Sequence, residues 1–460
     1  MGGRLQLGLR KLFSLQGRVS RSDYLTTGFA LMAFKYVVDA TVIYLATRVV
    51  WTPADYLFPL LGQRHAKVDA FPTWLQFALL LWTLPFIWIG VTMTLRRAVD
   101  AGKSAAWCAA FFVPGLNYAV MLWFAALPST SREIPSLPVP DASSQSDKYK
   151  AAVFGALGAA TFSLLAILVS VYGFTQYGGP LFIGAPFLQG LVCGWSFNSE
   201  RVRTEGETTA AVWISLFIVG GVVFLFAMEG VICLIMALPI AGMLAMMGGY
   251  VGRSIAIRGA RASGIAAMLF IVPGGSLVDR VTSSDPPVYE VVTAVDVDAP
   301  AETVWEHVVA FDEIRAPLQW YFRAGISYPL RAEIAGSGVG AVRRCEFSTG
   351  AFVEPITVWN APKTLAFDVI SQPAPLTELS IYSKVYAPHI DGFFQSRRGE
   401  FRLTPLAGGR TRLEGHTWYS VSLYPQGYWR AISEPVLHAI HQRVLDQVKL
   451  EAEKGWRGGF

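Results

Sequence analysis

The chain carries none of the compact motifs that mark common catalysts. It has no nucleophile elbow, no phosphate-binding glycine loop and no His-Glu-x-x-His pair. Cysteine is scarce: of four, Cys108, Cys193 and Cys233 lie inside apolar runs and only Cys345 falls in the C-terminal part. That usage excludes a disulfide framework and shows no metal-ligand spacing. The N-terminus reads as a surface-lying anchor rather than a cleaved signal, because the first long apolar run starts near Thr26 with no obvious small-residue cleavage site after it, and that run is expected to be a span. Ahead of that run, Leu5, Leu9, Leu12 and Phe13 recur at helical spacing beside Arg4, Arg10 and Lys11. The pattern suits an amphipathic helix lying on an anionic leaflet, with a loosely ordered basic leader as the alternative.

Apolar residues are what the sequence has in excess. They make up 53% of 460 residues, more than an ordinary globule needs, and the surplus is confined to the first 280 or so. The first 283 residues hold 21 Lys and Arg against 13 Asp and Glu, which leaves 17 against 20 for the remainder. The basic surplus thus belongs to the apolar part, where loop cations set membrane orientation, and nothing points to nucleic acid. Candidate spans are 26–50, 74–95, 105–127, 151–172, 181–196, 209–227 and 230–250, with a shorter run at 262–278. A hydrocarbon core of roughly 30 Å needs about 20 helical residues, so most of these suffice. The apolar tract on either side of Glu229 is long enough for two crossings and predicts a tight helical hairpin turning at Glu229-Gly230. A stretch with three prolines and several serines, 129–150, reads as a linker. The expected organisation is a membrane module at 1–128, the linker, a second membrane module at 151–283 and a separate domain at 284–460.

Two stretches of the first module stand out: Gly17-Arg18-Val19-Ser20-Arg21-Ser22-Asp23-Tyr24 before the first span, and Arg96-Arg97-Ala98-Val99-Asp100-Ala101-Gly102-Lys103-Ser104-Ala105-Ala106-Trp107, followed by Phe112-Val113-Pro114. Together they resemble the bacterial inner-membrane family named domain of unknown function 805, although this chain has Ala98-Val99 where the family has Leu-His and Leu25 where it has Trp. The resemblance implies a multi-pass protein of the bacterial inner membrane, with no activity attached. Arg18, Arg21, Arg96, Arg97 and Lys103 form a basic cluster at the mouths of spans, read as topology anchors, with a lipid-headgroup site as the alternative. Lys35 and Asp39 sit at membrane depth one helical turn apart and are expected to neutralise each other; an ion or substrate path is the other reading. The side occupied by the C-terminal domain depends on two Pro-Gly segments, at 112–115 and 271–274. If both cross or neither does, there are eight or six spans and the domain is cytoplasmic, which is the reading taken; a mixed case would make it periplasmic.

From Val288 onward the pattern changes. Val291, Thr293, Val295 and Val297 alternate as in a strand, a helical stretch follows at 301–309, and β-branched and aromatic runs at 342–349, 352–359, 364–370, 399–404 and 411–423 are separated by Gly, Pro and Asn. A final helix carries Leu437, Ile440, Val444 and Val448 on one face. The opening Val295-Asp296-Val297-Asp298-Ala299-Pro300-Ala301-Glu302-Thr303-Val304-Trp305 resembles the START-like helix-grip superfamily of lipid carriers, polyketide cyclases and aromatases. That likeness implies an α+β domain in which a curved antiparallel sheet wraps a long C-terminal helix around an apolar cavity.

Candidate cavity residues follow from alternation: Cys345 and Phe347 on one strand, Glu354 on the next, His416 and Tyr419 on the last, and His441 on the apolar face of the helix. Glu434, His438 and His441 share one side of that helix, but a hydrogen-bonded core role is preferred to metal ligation, so neither metal nor cofactor is expected. The segment between Phe367 and Gly399, rich in Pro and Tyr, reads as a surface loop or a cavity lid. The expected function is a polytopic membrane protein whose helix-grip domain binds a hydrophobic, lipid-like or polyketide-like molecule, with membrane lipids as its other partners. A cyclase- or hydrolase-like enzyme, and a transporter or scaffold with a regulatory domain, are the alternatives.

Overall fold

A computed structural model describes residues 12–57, 71–105, 107–108, 116–130, 145–258, 270–282, 285–382, 385, 387–390 and 392–457. The amphipathic stretch lies outside these residues except for Leu12 and Phe13, as do Phe112-Val113-Pro114 and most of the linker. The chain forms two compact units, one of Met1–Phe226 with Leu234–Ser284, the other of Ala227–Cys233 with Asp285–Phe460.

The first unit is helical. Among the described residues, six helices are long and apolar enough to cross a membrane: Arg21–Thr47 (α1), Thr73–Asp100 (α2), Lys150–Gly173, Pro180–Asn198, Glu205–Leu225 and Val231–Ile257. The expected span at 105–127 is not among them. Residues 106 and 109–115 of it lie outside the described residues, and its described part includes the helix Leu116–Ala126 (α3). The run at 262–278 likewise yields only Ile271–Thr282 among the described residues. Below, Gln145–Ile167 is α4, Ala185–Asn198 α5, Glu205–Leu225 α6, Val231–Ile257 α7 and Ile271–Thr282 α8.

Local chemistry sets several helix ends. Ser20 accepts a hydrogen bond from the Asp23 amide at the start of α1, and Thr204 and Glu207 form a reciprocal capping box at the start of α6. Helix packing relies on glycine. A Cβ at Gly190 would stand 1.8 Å from the Ala245 carbonyl oxygen, and one at Gly248 1.9 Å from that of Phe187; Gly194 and Gly252 are as tightly placed. Two four-residue glycine spacings thus let the backbones of α5 and α7 touch, as small residues do where no hydrophobic effect drives helices together. Gln189 adds a polar tie, receiving a hydrogen bond from Ser163 of α4 at 2.9 Å and donating to Ser215 of α6 at 3.2 Å.

The second unit is α+β, a curled antiparallel sheet with a C-terminal helix, the helix-grip arrangement. Its strands are Val288–Val297 (β1), Pro329–Ala335 (β2), Val342–Phe347 (β3), Gly350–Asn360 (β4), Thr364–Asp368 (β5), Phe394–Leu406 (β6) and Arg410–Val421 (β7). They lie in the order β1-β7-β6-β5-β4-β3-β2, every pair antiparallel. Helix Ala301–Val309 (α9) follows Pro300, which cannot donate to a preceding turn, and buries Val304, Trp305 and Val308 at helical spacing. The last helix, Gln426–Arg457 (α10), places Val444, Leu445, Val448 and Ala452 against Val297, Ile356, Leu365, Phe401, Leu403 and Leu413 in one apolar core. Its buried Arg443 donates to the carbonyls of Ile314, at 3.1 Å, and Ala316, at 3.0 Å, which ties the chain ahead of β2 to the helix.

Candidate functional site

The core cluster draws on α10 only from Val444 onward. Toward the start of the helix, where Leu437 is also buried, polar and aromatic groups gather between helix and sheet. Tyr419 of β7, wholly buried, donates to Glu434 at 2.7 Å, and Arg430 donates to the same carboxylate oxygen at 2.9 Å. The Arg430 guanidinium lies 3.5 Å from the centre of the Tyr289 ring, close enough for a strong cation–π contact. The Tyr289 hydroxyl in turn donates to Gln426 at 2.7 Å, while Phe394 stacks on Tyr419 with ring centres 5.4 Å apart. Burial, and then the hydrogen bond to Glu434, push the Tyr419 phenol upward, so it remains a proton donor.

Two turns further along α10, His441 Nε2 lies 2.7 Å from the Thr417 hydroxyl and His441 Nδ1 lies 3.1 Å from that of Thr293. His438 Nδ1 meets the same Thr293 oxygen at 2.8 Å. Burial, reinforced by His438 and His416, pulls the His441 imidazole down to about 4, so at neutral pH it is uncharged and bonded to two hydroxyls. Glu434 is turned to Tyr419 and Arg430 while the two histidines are turned to threonines, an arrangement of hydrogen-bonded partners rather than of converging metal ligands.

A second polar group occupies the sheet at β3 and β4. Antiparallel register sets Arg343 opposite Glu354 and Cys345 opposite Phe352. Arg343 and Glu354 form a buried ion pair, with side chains 2% and 7% exposed. The rings of Phe311, Phe367 and Phe401 stand around the guanidinium with centres 5.4 to 5.6 Å away. Burial raises the Glu354 carboxyl and Arg343 opposes it. Beside them, burial lifts the Cys345 thiol to about 12, so it is no thiolate. Phe347 and Phe352, both half-buried, pack on each other with ring centres 4.7 Å apart.

Cys345, Glu354, Tyr419 and His441 are thus buried or half-buried within the domain, but in two separate polar groups. His416 stands apart. Strand alternation sends it to the face opposite Leu413, Thr417 and Tyr419, where its Nδ1 lies 2.8 Å from Glu290. Arg343 was not singled out from the sequence, although it shares Cys345's side of β3 by alternation; Arg430 and Thr417 were also passed over. In the helical unit, Lys35 pairs with Asp39, which also accepts a hydrogen bond from the Tyr56 hydroxyl. The arginines of the basic cluster bind backbone, while Lys103 lies over the Trp123 ring. Arg21 donates to the Ala125 carbonyl at 3.0 Å and Arg18 to that of Thr130 at 3.2 Å. Arg97, fully buried, holds the Phe124 and Leu127 carbonyls together with Asp100. These guanidiniums tie the carbonyl end of α3 and the turn after it, where cations are favoured.

The architecture is that of a multi-pass membrane protein joined to a helix-grip domain. Residues 12–135 match the family described as "Protein of unknown function (DUF805)", which covers the N-terminal helices. No curated protein matches the chain. Among solved structures, the chain is similar to the Zhui aromatase/cyclase from Streptomyces sp. R1128, at 19% identity over 36% of this chain and 95% of that one, with a TM-score of 0.25. A norcoclaurine synthase point mutant from Thalictrum flavum, in complex with a transition state analogue, matches at 13% identity over 38% of this chain and 99% of its own, with a TM-score of 0.25. A protein from Nitrosospira multiformis matches at 16% identity over 37% and 99%, also with a TM-score of 0.25.

Proposed function

We propose that the helix-grip domain binds an apolar small molecule between the sheet and the Arg430–His441 half of α10, within a protein of the bacterial inner membrane whose domain faces the cytoplasm. The observation that carries the reading is where the apolar core stops. Val444, Leu445, Val448 and Ala452 seal one end of the helix against the sheet, whereas at the other end Tyr419, Tyr289, Phe394 and Leu437 set aromatic and apolar side chains beside a few oriented hydrogen-bonding groups, His441 among them. Small-molecule sites have this make-up, apolar walls for affinity and a few placed polar atoms for orientation.

The test uses the full chain purified in detergent. Native mass spectrometry should show a small-molecule adduct, and a fluorescent fatty-acid probe should bind and be displaced by unlabelled fatty acid. His441→Trp should fill the space from the helix side and abolish probe uptake, at the roughly 1–3 kcal/mol typical of overpacking. A folded chain with no adduct and no uptake of fatty-acyl or polyketide-like probes would remove the binding reading.

A further inference from the structure

Two stretches far apart in sequence meet inside the C-terminal unit. One is Ala227–Cys233, the turn expected at Glu229-Gly230 and the first residues of α7; the other is the irregular chain between β5 and β6. Glu378 joins them. Its carboxylate accepts the backbone amides of Ile232, at 3.0 Å, and Cys233, at 3.1 Å, while the Val231 amide donates to the Leu379 carbonyl at 3.0 Å. Gly230 is required by this approach, since a Cβ there would lie 2.1 Å from a Glu378 oxygen.

Within this junction Cys233 Sγ lies 3.0 Å from His389 Nε2, and Glu229 Oε1 lies 3.3 Å from His389 Nδ1. Cys233 is buried, and the Glu229 and His389 side chains are 19% and 12% exposed. One donor atom from each residue falls within 4.8 Å of the other two. The second Glu229 oxygen is buried with no hydrogen-bond partner. A nucleophile–base–carboxylate triad has a similar order, but here two carboxylates, Glu229 and Glu378, stand close to the cysteine. Such surroundings favour a cation, which would satisfy the second Glu229 oxygen.

We propose that Glu229, Cys233 and His389 form a binding site for a divalent transition metal of the zinc class. Mixed sulfur, nitrogen and oxygen donors suit zinc, and bond lengths of about 2.3 Å to sulfur and 2.0–2.1 Å to nitrogen require donor separations that small side-chain rotations would reach here. Three protein ligands leave a fourth position for water. Binding displaces the thiol proton to solvent, so affinity falls as pH is lowered. Glu378, which holds the amides of Ile232 and Cys233, is a positioning residue. In effect the metal would be a clamp between Ala227–Cys233 and the chain around His389.

The experiment uses the full chain in detergent, stripped with a chelator and then given Zn²⁺ or Co²⁺ alone. Elemental analysis should find about one zinc per chain, the ligand count of a single site. Cobalt should produce a thiolate-to-metal charge-transfer band in the near ultraviolet together with the intense visible bands of four-coordination. Cys233→Ser should abolish the charge-transfer band, Glu229→Gln and His389→Gln should weaken binding, and Glu378→Ala should weaken it by roughly 10–100-fold, as loss of an outer partner does. Circular dichroism and monodispersity establish that each variant is folded. Should Cys233→Ser fail to fold, protection of wild-type Cys233 from iodoacetamide by zinc, read by peptide mass, decides the matter. No thiolate band in the wild-type protein, a band that survives in folded Cys233→Ser, or Cys233 alkylation unaffected by zinc would overturn the proposal; rapid alkylation without metal protection would make Cys233 a nucleophile instead.

Discussion

Removing the Glu354 carboxylate should be far more damaging than replacing the whole Arg343–Glu354 pair. The two side chains are nearly inaccessible, and three phenylalanine rings surround the guanidinium. Glu354→Gln or Arg343→Met leaves one charge without its partner in that environment, at a cost of roughly 3–5 kcal/mol, whereas replacing both by apolar groups of similar volume is often neutral or stabilising. The double variant Arg343→Met/Glu354→Leu should therefore lie close to wild type, a coupling of several kcal/mol between contacting sites. Hydrogen exchange of the β3 and β4 amides, followed by mass spectrometry on the full chain, reads the local opening equilibrium. Each single variant should accelerate exchange roughly a hundred-fold or more, since about 1.4 kcal/mol corresponds to ten-fold, while the double should change it little. A double variant as labile as the two singles combined would show that the pair does not act as a compensated unit and would refute the reasoning.

Two further outcomes are expected. His441 is held near pKa 4, below its ordinary 6.5, so the folded domain excludes a proton that the unfolded chain binds. Its contribution is present above about pH 6.5 and is lost as pH falls toward 4, by at most about 3 kcal/mol; His441→Asn should flatten that limb in urea midpoints measured from pH 7 to 4.5, and an unchanged acid limb would locate the linkage elsewhere. A reporter that matures only in the cytoplasm, fused after Phe460, should be active and a periplasm-only reporter silent, with the reverse pattern placing the domain outside.

What could be read from the residues was whatever repeats with the period of a strand or a helix. Val291 to Val297 alternate and Val304, Trp305 and Val308 share a helix face, so β1 and α9 were legible, as was the run of Leu437, Val444 and Val448 in α10. Strand β2, with Arg331, Ala332 and Glu333 at its centre, offers little apolar alternation and went unseen; its place comes from pairing with β3. Register explains the site as well. Glu354 could be noticed as a carboxylate on a mixed face, but only pairing with β3 puts Arg343 opposite it. Parity alone separates His416 from Tyr419, yet both seemed fit for a cavity because each strand face carries mixed residues. The turn at Glu229 was legible from the length of the apolar tract, while His389 was not connected to it, since 156 residues separate it from Cys233 and its own segment has no period. The glycine crossing of α5 and α7 went unread as well: the four-residue spacings carry no period that marks a contact, and that the two meet depends on three-dimensional alignment.

The discontinuity of the C-terminal unit has a consequence for the order of biosynthesis. Ala227–Cys233 leaves the ribosome long before the chain it meets, which carries Glu378 and, last of all, His389. At a synthesis rate of roughly 5–20 residues per second, the segment waits on the order of ten to thirty seconds for its partners. During that interval the Glu229 carboxylate and the first amides of α7 have only solvent or chaperones to satisfy them, and Glu378 cannot cap those amides until it emerges. Residues 285–460 expressed apart would be spared the delay, but their Glu378 and His389 would face an empty seat. Supplying the missing seven residues as a peptide, or grafting them by a short linker to Asp285, would then complete the domain in trans or in a new order along the chain.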